Sequence, residues 1–513
     1  MINISADQQK ENNSSYTNIP MATISIMLST SVVIMDINTA GIALPSMQGS
    51  LSASQDQISW VMTTYFMAQG VTMAATGWLA GRVGRKKLYI LSLAGFALSA
   101  VMSGNSTSLE EIILWRGLQG MFSAPIVPIS QALILDLYPR ERHSFAIALW
   151  GTGVMIAPAL GPVIGGFVTE EYSWRWVFYL SLPLAILGIL GTYIFIREVP
   201  RNLERRFDWL GFICLAVLLA CLQFTLDRGH IEGWLDSDLI IGMVAIIALS
   251  FYIFIAHSMT TDNPFISHSI ITNRNFMIGM IFMFLLGILV LSINVIMPLF
   301  LQNVRDFPVI TSGLTMLPRG LGTMFALILA GRLSGRYLDP RLVIFMGFIC
   351  VSYSAWILSN STTDVGYITF AIAGFFNGAG IGLIYVPLTT VCFWTLPSQY
   401  RTEASTLASL CRNYGSGIGV SVVISILSKT QTETHAYLTE QISPFNEAMQ
   451  SPWLPDYWSI YTIQGIAAVE TEINRQALAV GFLNDFNLIF FGSIITMPFI
   501  LLLSKGGSEY YKN

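Results

Sequence analysis

Charge is what this chain has least of. Only 11% of its 513 residues are Asp, Glu, Lys or Arg, against about 25% in an ordinary soluble domain. With 53% hydrophobic residues and a mean hydropathy of +0.61, that shortage excludes a soluble globular protein. The net charge of −4 gives no reason to expect a nucleic-acid partner. Cysteine is scarce as well. Cys214, Cys221, Cys350, Cys392 and Cys411 sit in or beside apolar stretches without CxxC spacing, and read as small buried hydrophobes rather than a disulfide or metal framework. No GxxxxGK[ST] loop and no HExxH pair is present, and the five histidines (His143, His230, His257, His268 and His435) fall in loops. Gly415-Ser-Gly-Ile-Gly has the spacing of a nucleotide fingerprint but lies in an apolar helix with no strand before it. The expectation is a protein with no cofactor, no metal and no enzymatic activity.

What is present is a series of apolar windows of transmembrane length. They fall near 21–45, 58–80, 88–104, 110–136, 145–168, 174–196, 207–226, 237–257, 275–303, 311–331, 341–359, 365–391, 404–428 and 485–504. The polar start lacks a basic region leading into a cleavable apolar core, so the first window reads as a retained span. With the N-terminus inside, eighteen Lys and Arg fall on the cytoplasmic side and five on the other, which votes for both termini cytoplasmic and an even number of spans. Gly81-Arg-Val-Gly-Arg-Lys-Lys after the second window is echoed by Gly331-Arg-Leu-Ser-Gly-Arg after the tenth. The fold class expected is therefore an all-α integral membrane protein, two six-helix bundles with two inserted helices, an internally repeated arrangement used by secondary transporters. Its parts are a tail at 1–20, a bundle at 21–196, inserted helices at 197–258, a bundle at 259–504 and a tail at 505–513. Residues 429–484, with Trp453, Tyr457, Trp458 and Tyr461, read as one long external loop, and its aromatic content argues against plain disorder.

A charged side chain near the bilayer centre costs at least about 2.5–3.5 kcal/mol. Every Asp and Glu falls in a loop or at a window edge except Asp36, deep in the first span. Such a carboxylate must take a proton or face a cation, and a group poised between the two can carry protons; the competing reading is a static ion pair that pins helices together. Arg116 is its natural partner, because arginine keeps its charge. Arg319 and Arg412 are further in-span cations, and Asp136, at the end of the fourth span, reads as a cap or as the partner of a nearby arginine. Gly153, Ala157, Gly161 and Gly165 recur every four residues as a smooth ridge, and Pro158 and Pro162 favour a bend in it. The in-span polar residues Asn38, Tyr65, Gln69, Gln119, Asn294, Asn377, Tyr385 and Asn413, with Arg412, are candidates for lining a substrate cavity, although each alone is as well explained as helix–helix glue.

These residues match a family pattern. Met35-Asp36-Ile-Asn-Thr-Ala-Gly-Ile-Ala-Leu-Pro45, Gly77-Trp-Leu-Ala-Gly-Arg-Val-Gly-Arg-Lys-Lys87, Arg116 to Gly120, and Ala157 to Gly166 resemble, in turn, the first-helix, gating, fourth-helix and antiporter motifs of the major facilitator superfamily. The similarity is to its fourteen-span drug:proton antiporters, and within them to the EmrB-type multidrug efflux branch, which Leu226-Asp-Arg-Gly and the long external loop also resemble. The resemblance implies proton coupling at Asp36 and Arg116, gating by Gly77, Gly81, Arg82, Gly84 and Arg85, and export by exchange through Gly153, Ala157, Gly161, Pro162, Gly165 and Gly166. It also implies hydrophobic small molecules and drugs as substrates, with an EmrA-like periplasmic adaptor and a TolC-like outer-membrane channel as partners at the bacterial inner membrane. Gly81 stands where the gating motif has Asp, so the charge lock attributed to that Asp is not carried over. Asn38, Gly41 and Ser181 also depart from the pattern. The alternatives are an exporter of one metabolite or siderophore and, in another class, a non-transporting membrane sensor.

Overall fold

The structure is a computed structural model that describes residues 18–503 apart from 140–141, 199–206, 262–263, 335–336, 364–365, 395, 398–399, 444–445, 447–457 and 460. Among the described residues there is no strand, only an isolated bridge between Ser334 and Leu338. The first half consists of α1 (Ile19–Ser50), α2 (Gln55–Val83), α3 (Arg85–Asn105), α4 (Leu109–Ser123), α5 (Ile126–Leu137), α6 (His143–Val154), α7 (Ile156–Glu171) and α8 (Ser181–Phe195). Two helices follow, α9 (Trp209–Glu232) and α10 (Asp238–Thr260). The second half is α11 (Arg274–Leu286), α12 (Ile293–Asn303), α13 (Val309–Leu333), α14 (Pro340–Ser359), α15 (Tyr367–Trp394), α16 (Arg401–Gln441) and α17 (Ile463–Thr496).

Local chemistry sets many of these boundaries. The side chains of Asn18, Asp208, Asn273 and Thr462 accept from backbone N–H groups in the first turns of α1, α9, α11 and α17, and Ser54 and Gln57 cap α2 reciprocally. Two breaks within the apolar windows fall beside prolines, which cannot donate to the ladder. Pro125 separates α4 from α5, and Met155, three residues before Pro158, separates α6 from α7. A π-helical turn at Gly287–Leu291 interrupts the ninth window between α11 and α12.

Helical segments occupy all fourteen windows. Twelve helices among the described residues are long and apolar enough to cross a membrane. The second window lies on α2, which is less apolar, and the ninth is divided by the π turn. Large apolar side chains such as Leu98, Phe167, Leu249, Phe325 and Phe491 cover the outside, the surface that acyl chains solvate.

Within the first half α2 and α3 pack on α4, and α1 packs on α7 and α8; within the second, α15 packs on α13 and α14, and α17 on α14 and α16. The halves meet where α6 touches α13 and where α16 touches α2 and α5. The inserted α9 leans on both halves. It packs on α2, and its Leu219 and Leu226 carbonyls accept from Tyr414 (3.1 Å) and Ser421 (2.8 Å) of α16.

The segment expected as an external loop is helical over much of its length. α16 runs on to Gln441 and α17 begins at Ile463, giving a hairpin whose arms are joined by His435 and Glu470 at 2.8 Å. At 41 residues, α16 is roughly 61 Å long, about twice the apolar thickness of a bilayer. A hydropathy window sees only its apolar part, and the polar continuation is held by contacts such as Lys429–Glu433 and Arg475–Glu472. Trp453 and Tyr457 lie outside the described residues. Cys214 and Cys392 are buried as small hydrophobes, whereas Cys221, Cys350 and Cys411 are half-buried.

Candidate functional site

Asp36 lies midway along α1, and Arg116 and Gln119 lie one turn apart on α4. The structure brings the three together. Arg116 Nη1 donates to Asp36 Oδ2 at 2.7 Å, and Gln119 Nε2 donates to Asp36 Oδ1 at 2.9 Å. Arg116 Nη1 also reaches Gln119 Oε1 at 2.8 Å, closing a ring of contacts. Both members of the ion pair are fully buried through their side chains. Tyr65 of α2 lies under the guanidinium, its ring centroid 4.3 Å away, and Phe178 flanks it at 5.6 Å. This close approach needs Gly120, because a Cβ there would collide with the backbone carbonyl of Tyr65. Gln69, one turn beyond Tyr65, donates to Ser123 of α4 at 2.9 Å.

The glycine ridge lies directly against this site. A Cβ on Gly161 would stand 3.1 Å from Asn38, and one on Gly165 3.1 Å from Thr39, so α7 slides onto α1 within a turn of Asp36. Ser31 donates to the carbonyl of Gly153 at 3.2 Å, and Ala157 is buried in the same contact face. Gly166 points into open space. The side chain of Pro162 lies outside the described residues.

The gating segment is distributed differently from its sequence order. Gly77 packs on Glu403 of α16, Gly84 takes a left-handed φ of +100°, and Arg85 pairs with Asp136. Gly81 and Arg82 lie on the outer part of that turn. The other Asp136 oxygen accepts from Arg401 of α16 at 2.7 Å, and Arg401 also donates to the Leu135 carbonyl at 3.2 Å. One carboxylate thus joins two arginines, one from each half, across the Lys/Arg-rich end. Sequence reading allowed Asp136 a nearby arginine but not this second one, which is 265 residues away.

Of the cavity candidates, the structure gathers Tyr385 and Arg412 at the junction of the halves. Gln131 of α5 donates to the Tyr385 hydroxyl and accepts from Ser405 at 2.6 Å. Arg412 donates to the same hydroxyl at 3.2 Å, and Trp150 stacks on the Tyr385 ring. Asn38 turns back on its own helix to the Ile34 carbonyl at 2.6 Å, and Asn413 is exposed. Asn377 is fully buried with neither its amide oxygen nor its nitrogen hydrogen-bonded. The Asn294 side chain lies outside the described residues. Arg319 is half-buried, and α15 crosses its backbone through Gly378. Asp485, assigned to the edge of the last window, sits instead within α17 and is fully buried.

Residues 26–420 match the family model of the Major Facilitator Superfamily. The chain is 32% identical to the multidrug export protein EmrB of Escherichia coli strain K12, over 84% of each chain. It is 28% identical to the EmrB of Haemophilus influenzae over 94% of each, and 30% identical to the fatty acid resistance protein FarB of Neisseria gonorrhoeae over 94% of each. Among solved structures, the human organic anion transporter MFSD10 aligns with a TM-score of 0.58 at 14% identity, covering 93% of this chain and 99% of that one. The proton:xylose symporter XylE aligns with a TM-score of 0.58 at 15% identity, covering 95% and 96%.

Proposed function

This chain belongs to the major facilitator superfamily, and from that premise we propose that it is a proton-driven antiporter exporting hydrophobic small molecules from the cytoplasm. It is a multi-pass membrane transporter with EmrB-type multidrug efflux relatives, and not an enzyme. The observation that carries the reading is the buried carboxylate of Asp36, both of whose oxygens are held by Arg116 and Gln119.

In that arrangement the Asp36 carboxylate is the counter-charge of the buried Arg116 guanidinium, which keeps its charge. A proton arriving from the external side neutralises the carboxylate and releases its hold on Arg116. α4 and α1 then gain freedom to shift, and the Gly161/Gly165 ridge offers α1 a smooth track against α7. Shifting the halves opens the Asp136–Arg401 contact at the cytoplasmic end, where the proton leaves and substrate enters. Each proton moving down 100 mV supplies about 2.3 kcal/mol, enough for a roughly fifty-fold substrate gradient. The Tyr385–Arg412–Gln131 junction is the proposed substrate-facing surface, polar at one point and aromatic around it.

The hairpin formed by the ends of α16 and α17 beyond the apolar layer, within 429–484, is the proposed external docking surface for an EmrA-like adaptor, with a TolC-like channel completing the route out. A second reading, export of one dedicated amphiphile, is favoured by the similarity to a relative named for fatty acid resistance. A panel of drugs and fatty acids added to energised everted vesicles tests both. Proton release on addition of several unrelated drugs supports the multidrug reading, release with fatty acids alone supports the dedicated one, and no release with any compound contradicts proton exchange.

A further inference from the structure

Asp485 shows the opposite of what Asp36 shows. It is fully buried, on the stripe of α17 formed by Phe482, Phe486, Ile489, Ser493 and Thr496, yet neither carboxylate oxygen has a hydrogen-bond partner. Phe300 of α12 lies against the rings on both sides of it, 5.4 Å from Phe482 and 6.3 Å from Phe486.

Among the described residues no charged group is hydrogen-bonded to or paired with it. α14 offers Cys350 and Tyr353 along its length and Arg341 only in its first turn. On α16, Arg412 is directed to Tyr385, Lys429 lies by Glu433, and His435 pairs with Glu470 of α17 itself. Also on α17, Glu472 is paired with Arg475. The π turn, α12 and the 3-10 turn at Met497–Leu502 carry no ionisable residue.

Burying an ionised carboxylate without a cation is strongly disfavoured, whereas a protonated one loses only ordinary polar solvation. Asp485 lacks the cation that Asp36 has in Arg116. Its place in the fold suits exchange. Gly492 of α17 packs on Leu289 of the π turn, and α12 contains Pro298, so the wall facing Asp485 is the irregular part of the second half. Roughly 30 Å of helix separate Asp485 from Leu503, which places it towards the external side of the apolar layer, a short distance from external water.

We infer that Asp485 is a second proton-binding site, in the half opposite Asp36, loaded from external water while Asp36 is empty and discharged to the cytoplasm when α12 and the π turn move off α17. The inference rests on the proton-antiport reading, and its test separates the two. The protein is purified whole and examined by infrared difference spectroscopy at neutral pH, and then reconstituted with an imposed potential of about 100 mV. Wild type should show a protonated-carboxyl band that disappears in Asp485→Asn and persists, shifted, in Asp485→Glu. Asp485→Asn should still transport, but with one proton fewer per cycle its limiting substrate ratio should fall roughly fifty-fold, while Asp485→Glu keeps the wild-type ratio. A band that survives unchanged in Asp485→Asn overturns the inference, and so does an unchanged limiting ratio when the band is lost. If Asp485→Asn does not fold, the Asp485→Glu band decides: an unshifted band overturns the site. Wild-type transport indifferent to the proton gradient would overturn the antiport reading instead, leaving the infrared result to speak for Asp485 alone.

Discussion

At the scale of single residues, the Asp36–Arg116 pair has an asymmetric energetics. Removing one partner from a buried pair strands the other charge and costs about 3–5 kcal/mol, whereas neutralising both leaves two ordinary polar groups. Arg116→Ala should therefore lower the thermal midpoint of the purified protein strongly, and the Asp36→Asn/Arg116→Ala double variant should recover much of that loss. Equal midpoints for the single and double variants would show that the two side chains are not coupled. The pair was legible in the sequence because a charge amid apolar residues is conspicuous. Gln119 was noticed only as one of several polar residues, since nothing in its spacing reveals that it takes the second Asp36 oxygen. Asp485 was not legible at all: the polar stretch before it hides where the helix begins, and an acid at the apparent edge of a window needs no explanation.

At the scale of elements, the glycine ridge sets how closely α7 approaches α1. Gly165 of α7 sits 3.1 Å, measured from an added Cβ, from Thr39 of α1. Gly165→Val should destabilise by about 1–3 kcal/mol through overpacking and reduce export more than it reduces expression, because it roughens the track along which α1 is proposed to move. Drug efflux per folded molecule, equal to wild type, would assign the ridge to static packing. The four-residue spacing made this face readable from sequence, whereas its partner, the 35–39 region of α1, was not encoded locally. The hairpin of α16 and α17 gives a second prediction. Replacing the arms that extend past the apolar layer with a short linker that leaves Asp485 in place should spare transport in liposomes and weaken drug resistance in cells. Equal loss in both assays would count against docking. The windows captured where these two helices cross the membrane but not that they continue past it, because exposed helix is stabilised by pairs such as His435–Glu470 rather than by an apolar period.

At the scale of the whole molecule, Asp136 ties the halves together at the Lys/Arg-rich end through Arg85 and Arg401. The gating motif lacks its usual acid at Gly81, and this carboxylate sits where a tie between the halves is needed. Asp136→Asn removes the carboxylate that bridges Arg85 and Arg401, so the end should open. In a cysteine-free background, a cysteine placed at the buried Ala408 should react several-fold faster with a water-soluble thiol reagent once Asp136 is replaced. An unchanged rate would show that the tie is not what holds that end shut. The repeat of Gly81-Arg-Val-Gly-Arg at Gly331 made the two-part plan visible, but which acid would meet which base across it depends on packing between segments hundreds of residues apart.

The central claim is that the carboxyl group of Asp36 is what the proton gradient acts on. Proteoliposomes containing either wild type or Asp36→Asn, loaded with a transported drug and given an acid interior or an acid exterior, test it most directly. The account predicts drug movement against the proton flow in the wild type, and in Asp36→Asn a folded protein whose drug movement no longer responds to the gradient. Gradient-driven transport by Asp36→Asn at the wild-type rate would contradict it.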